Sequence, residues 1–319
     1  MRGWILYKQS NEEKLKDDYE ISRFVETAAR ENIELKIVKP EQLELIVTRD
    51  DRKSILLDGQ VTPLPDFLIP RMGAGTSYFA LAVIRHLERL NVRVLNTAQS
   101  IEVVRDKLYT QQVLAASNLP VPKTMLVKFP VNVDLVQKQL GFPVVVKTLI
   151  GSLGSGVYLS DDRNNFEDMM TFIESSHPNH NIILQEFISS SRGRDLRVVV
   201  VGGRVIGCMQ RSATDGGFRA NVARGGATTQ YPLTNEIELL ALEATRIVGL
   251  DISGVDLLFD GDHFKICEVN SSPHFKGLES CHKGLDVAKQ IYQYIHFRLG
   301  NFDTFTTSPI PPTQPETPN

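Results

Sequence analysis

The sequence predicts a mixed α/β (α+β) fold divided among several domains, and three observations carry that reading. At 319 residues the chain is too long for one ordinary hydrophobic core and suggests two or three domains. Through the first 96 residues, apolar strand-like runs alternate with segments of helical periodicity, the pattern of an open, mostly parallel sheet carrying helices. Further along, strand-like runs come in pairs joined by glycine-containing turns, the pattern of antiparallel hairpins.

In the first domain, Trp4–Tyr7 reads as a strand and Lys16–Asn32 as a helix with apolar positions at Tyr19, Phe24, Val25 and Ala28. Ile33–Val38 is a second strand, and a hairpin follows around Asp58-Gly59. Phe67–Ile69 is a short strand ending in Pro70-Arg71, Tyr78–Leu90 a helix, and Val92–Leu95 a last strand before Asn96, which reads as a turn or cap residue. Ligands of such sheets collect at the carboxyl ends of the strands. Arg71 stands at one such end, before the flexible Gly73-Ala74-Gly75, so it is a candidate for a substrate carboxylate; the plainer reading is a surface cation.

A single helix, about Ser100–Ser117, contains Arg105-Asp106-Lys107, and Pro120 and Pro122 end it. Next comes an apolar strand ending in Lys147, then the cluster Gly151, Gly154 and Gly156, then a strand at Val157–Leu159. Backbone N–H groups approach phosphate oxygens closely only where no Cβ intervenes. A glycine cluster alone is more often a plain loop. A Walker loop puts lysine after its glycines and opens a helix; here Lys147 precedes them and a strand follows, so the reading is a hinged hairpin lid closing over phosphates.

Ile182–Ile188 is a strand whose Gln185-Glu186-Phe187 offers backbone groups and an aromatic face to a flat ligand. Leu196–Val201 and Arg204–Gln210 pair through Gly202-Gly203. Arg211, closing the second strand beside a loop rich in Gly, Arg and Asn, is a candidate partner for a carboxylate. Helices at Glu236–Val248 and Leu285–Phe297 flank the stretch where the chemistry is expected, Val255–Pro273.

There, Val255–Asp260 and Phe264–Asn270 flank Gly261 and Asp262 as a hairpin. Strand alternation puts Glu268 and Asn270 on one face and Cys267 and Val269 on the other. A three-residue loop, Gly261–His263, sets Asp256 opposite Glu268 on that face; a two-residue loop pairs Asp256 with Cys267 and sends Glu268 to the other side. The three-residue loop is the expectation, with Gly261 supplying the positive φ. Asp256, Glu268 and Asn270 then converge as oxygen ligands suited to Mg²⁺. Asp260 and Asp262 read as solvated, and His86, His177 and His180 show no ligand spacing.

The composition narrows the function classes. A formal charge of −3 gives no general affinity for nucleic acid or anionic membrane. The N-terminus is not a signal peptide, and no apolar run reaches the ~18 residues a membrane span needs. Cys208, Cys267 and Cys281 fit neither a disulfide framework nor a zinc site, so a reducing, cytoplasmic setting is expected. Residues 302–319, dominated by Pro, Ser and Thr, read as a disordered tail.

Five stretches, in order, give a resemblance: Pro70-Arg71-Met72-Gly73, Arg105-Asp106-Lys107, the apolar strand ending at Lys147 with its glycines, the loop from Phe218 to Gly226, and Glu268-Val269-Asn270-Ser271-Ser272-Pro273. Along most of residues 66–273 the chain resembles the ATP-grasp superfamily, and within it the RimK-like α-L-glutamate ligases. The resemblance implies an ATP-grasp fold with an N-terminal α/β (pre-ATP-grasp) domain at 1–97, a central lid at 98–184 and a C-terminal antiparallel-sheet domain at 185–301. ATP would be clamped between the last two. Lys107, Lys147 and the lid glycines Gly151, Gly154 and Gly156 would contact its phosphates, Glu186 and Phe187 would line the adenine pocket, and Asp195 would lie on the nucleoside side. Arg219 and Asn221, with Arg211, would face the γ-phosphate and reacting carboxylate, and Asp256, Glu268 and Asn270 would hold two Mg²⁺ ions, for which Mn²⁺ can substitute.

The activity implied is an ATP- and Mg²⁺-dependent carboxylate–amine ligase working through an acylphosphate. It would add L-glutamate to the carboxylate of a protein C-terminus, peptide or small acceptor, in a homo-oligomer. Alternatives are another amino acid and acceptor, as in N-acetylaspartylglutamate synthases or carrier-protein lysine biosynthesis, or an ATP-binding module without turnover. Two departures bear on the acceptor. His274-Phe275-Lys276-Gly277 stands where the family commonly has Gly-Leu-Glu-Gly, and Gln210 where bacterial members often have lysine.

Overall fold

The computed structural model describes residues 1–10, 17–49, 55–149, 156–176, 181–218, 220 and 226–300. The first domain is built on a parallel sheet. Its elements are β1 (Arg2–Leu6), α1 (Tyr19–Arg30), β2 (Glu34–Val38), a small antiparallel sheet of β3 (Leu43–Leu45), β4 (Ile55–Leu57) and β5 (Gln60–Val61), then β6 (Phe67–Pro70), α2 (Tyr78–Arg89) and β7 (Arg93–Val94). The main sheet runs β2-β1-β6-β7 with every pair parallel, as the alternation predicts. Helix α1 starts at Tyr19 rather than Lys16 because Asp18 caps it, accepting the Ile21 N–H at 3.0 Å.

The single helix expected at Ser100–Ser117 is two: α3 (Ala98–Arg105) and α4 (Lys107–Ala116). Asp106 causes the break. Its carboxylate accepts the Leu108 and Tyr109 N–H groups as the N-cap of α4, and the Thr110 hydroxyl braces the corner. Both helices pack on the C-terminal sheet, through Val104 and Leu114.

A second layered unit follows: β8 (Thr124–Val127), α5 (Val133–Gln139), β9 (Val144–Thr148), β10 (Val157–Ser160), α6 (Arg163–Ser176) and β11 (Ile182–Glu186), with strand order β10-β9-β11-β8. Strands β9 and β10 pair antiparallel, Val157 opposite Lys147, so the expected hairpin forms. The sequence reading does not contain α5 or α6. The first is a short helix, and the second buries only Phe166 and Met170, too few apolar positions to show a periodicity.

The third unit is a five-stranded sheet, β14-β13-β12-β15-β16, every pair antiparallel. Its elements are β12 (Arg194–Val201), β13 (Arg204–Ser212), β14 (Ala227–Gln230), α7 (Asn235–Ile247), β15 (Ile252–Asp260), β16 (His263–Asn270), α8 (Lys276–Cys281) and α9 (Val287–Arg298). One sheet face, with Val198, Val255, Leu257, Ile266 and Val269, packs on α7, α3 and α4. On the other face Val199, Val201 and Ile252 share a core with Ile5, Phe24 and Phe67 of the first domain and with Ile291, Tyr292 and Ile295 of α9. The last helix therefore seals the first domain to the third. No helix among the described residues is long and apolar enough to cross a membrane.

Candidate active site

The acidic hairpin corrects one expectation and keeps another. Asp260 pairs with His263, so the loop is the two-residue Gly261-Asp262 and not Gly261–His263. The register then shifts between Asp256 and Leu257, and Asp256 still lies opposite Glu268. A β-bulge at Cys267 supplies the extra residue that the loop does not. The bulge also overturns the expected placement of Cys267. Ile266 and Val269 point into the core, while Cys267 leaves it and brings its Sγ to 3.6 Å from Lys147 Nζ.

Across the sheet from this hairpin runs an ionic ladder. Arg197, opposite Asp256 on the neighbouring strand, grips that carboxylate with Nε and Nη2, both at 2.8 Å. Arg211 grips Asp195 in the same two-pronged way, at 2.7 and 2.6 Å, and reaches Asp256 Oδ2 at 3.0 Å. All four side chains are largely buried. Burial works to raise the Asp256 carboxyl, but Arg197 and Arg211 outweigh it and hold it below its ordinary value. Likewise burial disfavours the charge on Arg211, and Asp256 and Asp195 outweigh it. The carboxylates facing Arg211 are thus the chain's own, and Asp195 is committed to that arginine. Arg197 was missed by the sequence reading. Its signal was a charge in an apolar strand, two positions from Asp195 and so on the same face.

Two lysines come to this face from other units. Lys107 opens α4, and Lys147 sits near the end of β9. Burial lowers the pKa of Lys107; Glu268 raises it and Lys147 lowers it again, with a net fall. Lys147 donates to Gln185 Oε1 at 2.5 Å, and Gln185 in turn donates to Thr124 Oγ1 at 2.9 Å, which fixes the lysine along its strand. Glu186 ends β11 with its carboxylate already taken by the Lys123 N–H and Lys265 Nζ, each at 2.8 Å. The next residue, Phe187, has the Arg192 guanidinium 5.8 Å from its ring centre.

Gly156 has φ +72°, and a Cβ there would lie 2.3 Å from Thr148 Oγ1, so the glycine is required for the β9–β10 hairpin itself. Gly151, Gly154, Arg219 and Asn221 lie outside the described residues.

Arg71 is buried. One of its Nη groups donates to the Pro273 carbonyl at 3.1 Å, and its guanidinium lies 5.7 and 5.9 Å from the ring centres of Phe24 and Phe275. It is part of a larger grip. Asn96 Nδ2 donates to the Ser271 carbonyl, and Glu20 accepts the N–H groups of Phe275 and Lys276 and contacts His274 Nδ1. The first domain thereby holds the chain directly beyond Asn270. A cavity of about 300 Å³ lined by Tyr7, Lys8, Gln9, Asp17 and Asp18 opens at the end of β1, and Tyr7 and Asp18 there are electrostatic neighbours of Arg71.

The donor set fits a small hard cation: two carboxylates on facing strands and one amide, with Lys107 beside Glu268. Asn270 approaches Asp256 Oδ2 at 3.5 Å through its amide nitrogen. Among the described residues no group of three or more His, Cys, Asp or Glu gathers to hold a metal by itself.

Residues 104–295 match the model of the RimK-like ATP-grasp domain, and residues 5–101 that of the RimK PreATP-grasp domain. A probable alpha-L-glutamate ligase of Legionella pneumophila (strain Corby) is 35% identical over 263 residues, 82% of this chain and 86% of that protein. Probable alpha-L-glutamate ligase 1 of Shewanella frigidimarina (strain NCIMB 400) is 36% identical over 281 residues, 88% of this chain and 92% of its own. Among solved structures, the ATP-grasp ligase PsnB complexed with minimal precursor superposes with a TM-score of 0.70 at 18% identity, covering 92% of this chain and 98% of that one.

Proposed function

The chain belongs to the RimK-like ATP-grasp family of ADP-forming ligases, and we propose that it joins the amino group of L-glutamate to the carboxylate of a protein C-terminus, peptide or small acceptor through an acylphosphate. The observation that carries the proposal is the meeting of Asp256, Glu268 and Asn270 with Lys107 and Lys147 on one face.

A carboxylate is a poor electrophile, so amide formation in water needs activation. In the proposed reaction an oxygen of the acceptor carboxylate attacks the γ-phosphorus of ATP, the bond to the β-phosphate oxygen breaks, and ADP leaves. The amine of glutamate then attacks the acyl carbon, inorganic phosphate departs, and the ammonium proton is released to solvent. Phosphoryl transfer of this kind depends on positioning and charge neutralisation. Lys107 and Lys147 supply cations at the phosphates, Arg219 and Asn221 serve the transferring group and the oxyanion, and Arg71 serves a substrate carboxylate. Mg²⁺ held by Asp256, Glu268 and Asn270 would neutralise phosphate charge and polarise the bond being broken. Arg197 and Arg211 keep Asp256 ionised and pointed at that site. The β9–β10 lid excludes water, which would hydrolyse the acylphosphate.

The test is ADP release from the full chain with ATP and Mg²⁺, across acceptor carboxylates, with and without L-glutamate, the products being weighed by mass spectrometry. An acceptor that gains one glutamate residue per ADP supports the proposal. A chain that binds ATP yet releases no ADP in response to any amino acid and acceptor is a binding module, and the ligase proposal fails.

A further inference from the structure

We propose that Gln111 is a positioning residue for this reaction, acting on Glu268 through the main chain of the bulge at Cys267; the inference rests on the reading of Glu268 as a metal ligand. Gln111 lies on α4 four residues after Lys107, on the same helix face. It is 5% exposed, and its Nε2 donates to the Cys267 carbonyl at 3.0 Å and approaches the Ile266 carbonyl at 3.4 Å.

The bulge creates the need for this contact. Ile266 and Val269 both point into the core, so the two residues between them must both turn toward the site. A regular strand allows one residue between inward positions, not two. The extra residue takes the Cys267 peptide out of the ladder, and its carbonyl is met by a side chain from another element. The direction in which Glu268 leaves the strand depends on the rotation of that peptide. One helix therefore presents Lys107 and, a turn later, sets the carboxylate that Lys107 faces.

A second observation marks Gln111 as more than packing. Its Oε1 is buried and finds no hydrogen-bond partner among the described residues. An orphan acceptor in a core costs stability, and methionine would fill the same volume without it. What the glutamine gives in return is the Nε2–H bond to the Cys267 carbonyl, the contact that holds the peptide of the bulge.

The probe is Mn²⁺ in the presence of ADP, its binding to the full chain followed by electron paramagnetic resonance, with melting temperature recorded alongside. Gln111→Met is expected to weaken Mn²⁺ binding about tenfold or more, with a melting temperature no lower than the parent's by more than a few degrees. Deleting Cys267 removes the bulge, and by residue count keeps Asp256 opposite Glu268; in that background Gln111→Met should change Mn²⁺ binding by less than about twofold. If the unaltered chain binds no Mn²⁺ with ADP, the metal-site reading itself fails. If it binds, and Gln111→Met binds as tightly, only the positioning role fails. A full tenfold loss in the chain lacking Cys267 would also overturn it, because Gln111 would then act by another route.

Discussion

Asn96 and Ile252 exchange two hydrogen bonds across the seam between the first domain and the C-terminal sheet: Asn96 Oδ1 accepts the Ile252 N–H at 2.8 Å, and its Nδ2 donates to the Ile252 carbonyl at 2.7 Å. The same carboxamide accepts the Asp251 N–H at 2.7 Å and donates to the Ser271 carbonyl at 2.9 Å, so its two donors and two lone pairs are all used. Asn96 is 1% exposed. Asn96→Ala should destabilise the chain by about 3 kcal/mol or more, several degrees of melting temperature, because four main-chain groups lose their partner. Asn96→Asp, which keeps the acceptors but turns a buried carboxylate oxygen toward the Ile252 and Ser271 carbonyls, should destabilise at least as much. Thermal unfolding of the three proteins decides; an unaffected Asn96→Ala would mean the seam is held without this contact.

Glu20 makes the seam sensitive to acid. Burial alone would raise its carboxyl, but the His274 hydrogen bond and charge, Arg71 and the Lys276 N–H outweigh burial and bring it from an ordinary 4.5 to about 2. A carboxylate whose pKa is depressed on folding stabilises the fold at pH values above its unfolded pKa, and that contribution is lost as pH falls through the folded one. For Glu20 it amounts to about 3 kcal/mol, present above about pH 4.5 and lost toward pH 2. Glu20→Gln should therefore melt below the parent at neutral pH, with the two curves converging as pH approaches 2. A gap independent of pH would show that Glu20 acts through shape and not charge.

Much of the hairpin chemistry was legible in the sequence, and one fact about it was not. That Asp256 faces Glu268 follows from their mutual spacing once a register is assumed. The route to that register, a two-residue loop plus a bulge, adds to the same count as a three-residue loop with none, so alternation could not separate them. Of the departure at His274-Phe275-Lys276, His274 meets Glu20 through its side chain, while Phe275 and Lys276 meet it through their main-chain N–H groups, more than 250 residues away in sequence. Asn96 carried only the local signal of a turn residue, because its partners lie 155 to 175 residues further on. Asp106 lies inside a stretch that reads as one helix, Ser100–Ser117, and its capping of α4 at Leu108 and Tyr109 shows only in the structure.

The two metal-site carboxylates should separate in their effects. Asp256 is held by two arginines, so Asp256→Ala leaves buried cations without their partner and should cost roughly 3–5 kcal/mol as well as turnover. Glu268 faces Lys107 from the half-buried end of β16. Glu268→Ala should lower glutamate-dependent ADP release by about 100-fold or more with a melting temperature close to the parent's. A Glu268→Ala protein that ligates at near the parent rate removes the metal assignment.

Gly156 offers a test of the lid that does not touch a charged group. Its φ of +72° disfavours any side chain, and an added Cβ would meet Thr148 Oγ1 at 2.3 Å, on the strand that carries Lys147. Left-handed backbone costs a non-glycine residue about 1–2 kcal/mol, and the clash adds to it, so Gly156→Ala should distort the turn end of the β9–β10 hairpin. The core behind it, Val144, Val146, Phe166 and Leu184, is on the helical side of the sheet and should stay packed, leaving the melting temperature nearly unchanged. The expected result is a KM for ATP raised several-fold, with the KM for the amino acid unaltered. Adding Thr148→Ala removes the clash but not the left-handed strain, so the double variant should recover part of the loss. If Gly156→Ala binds ATP as the parent does, the hairpin does not close over the nucleotide.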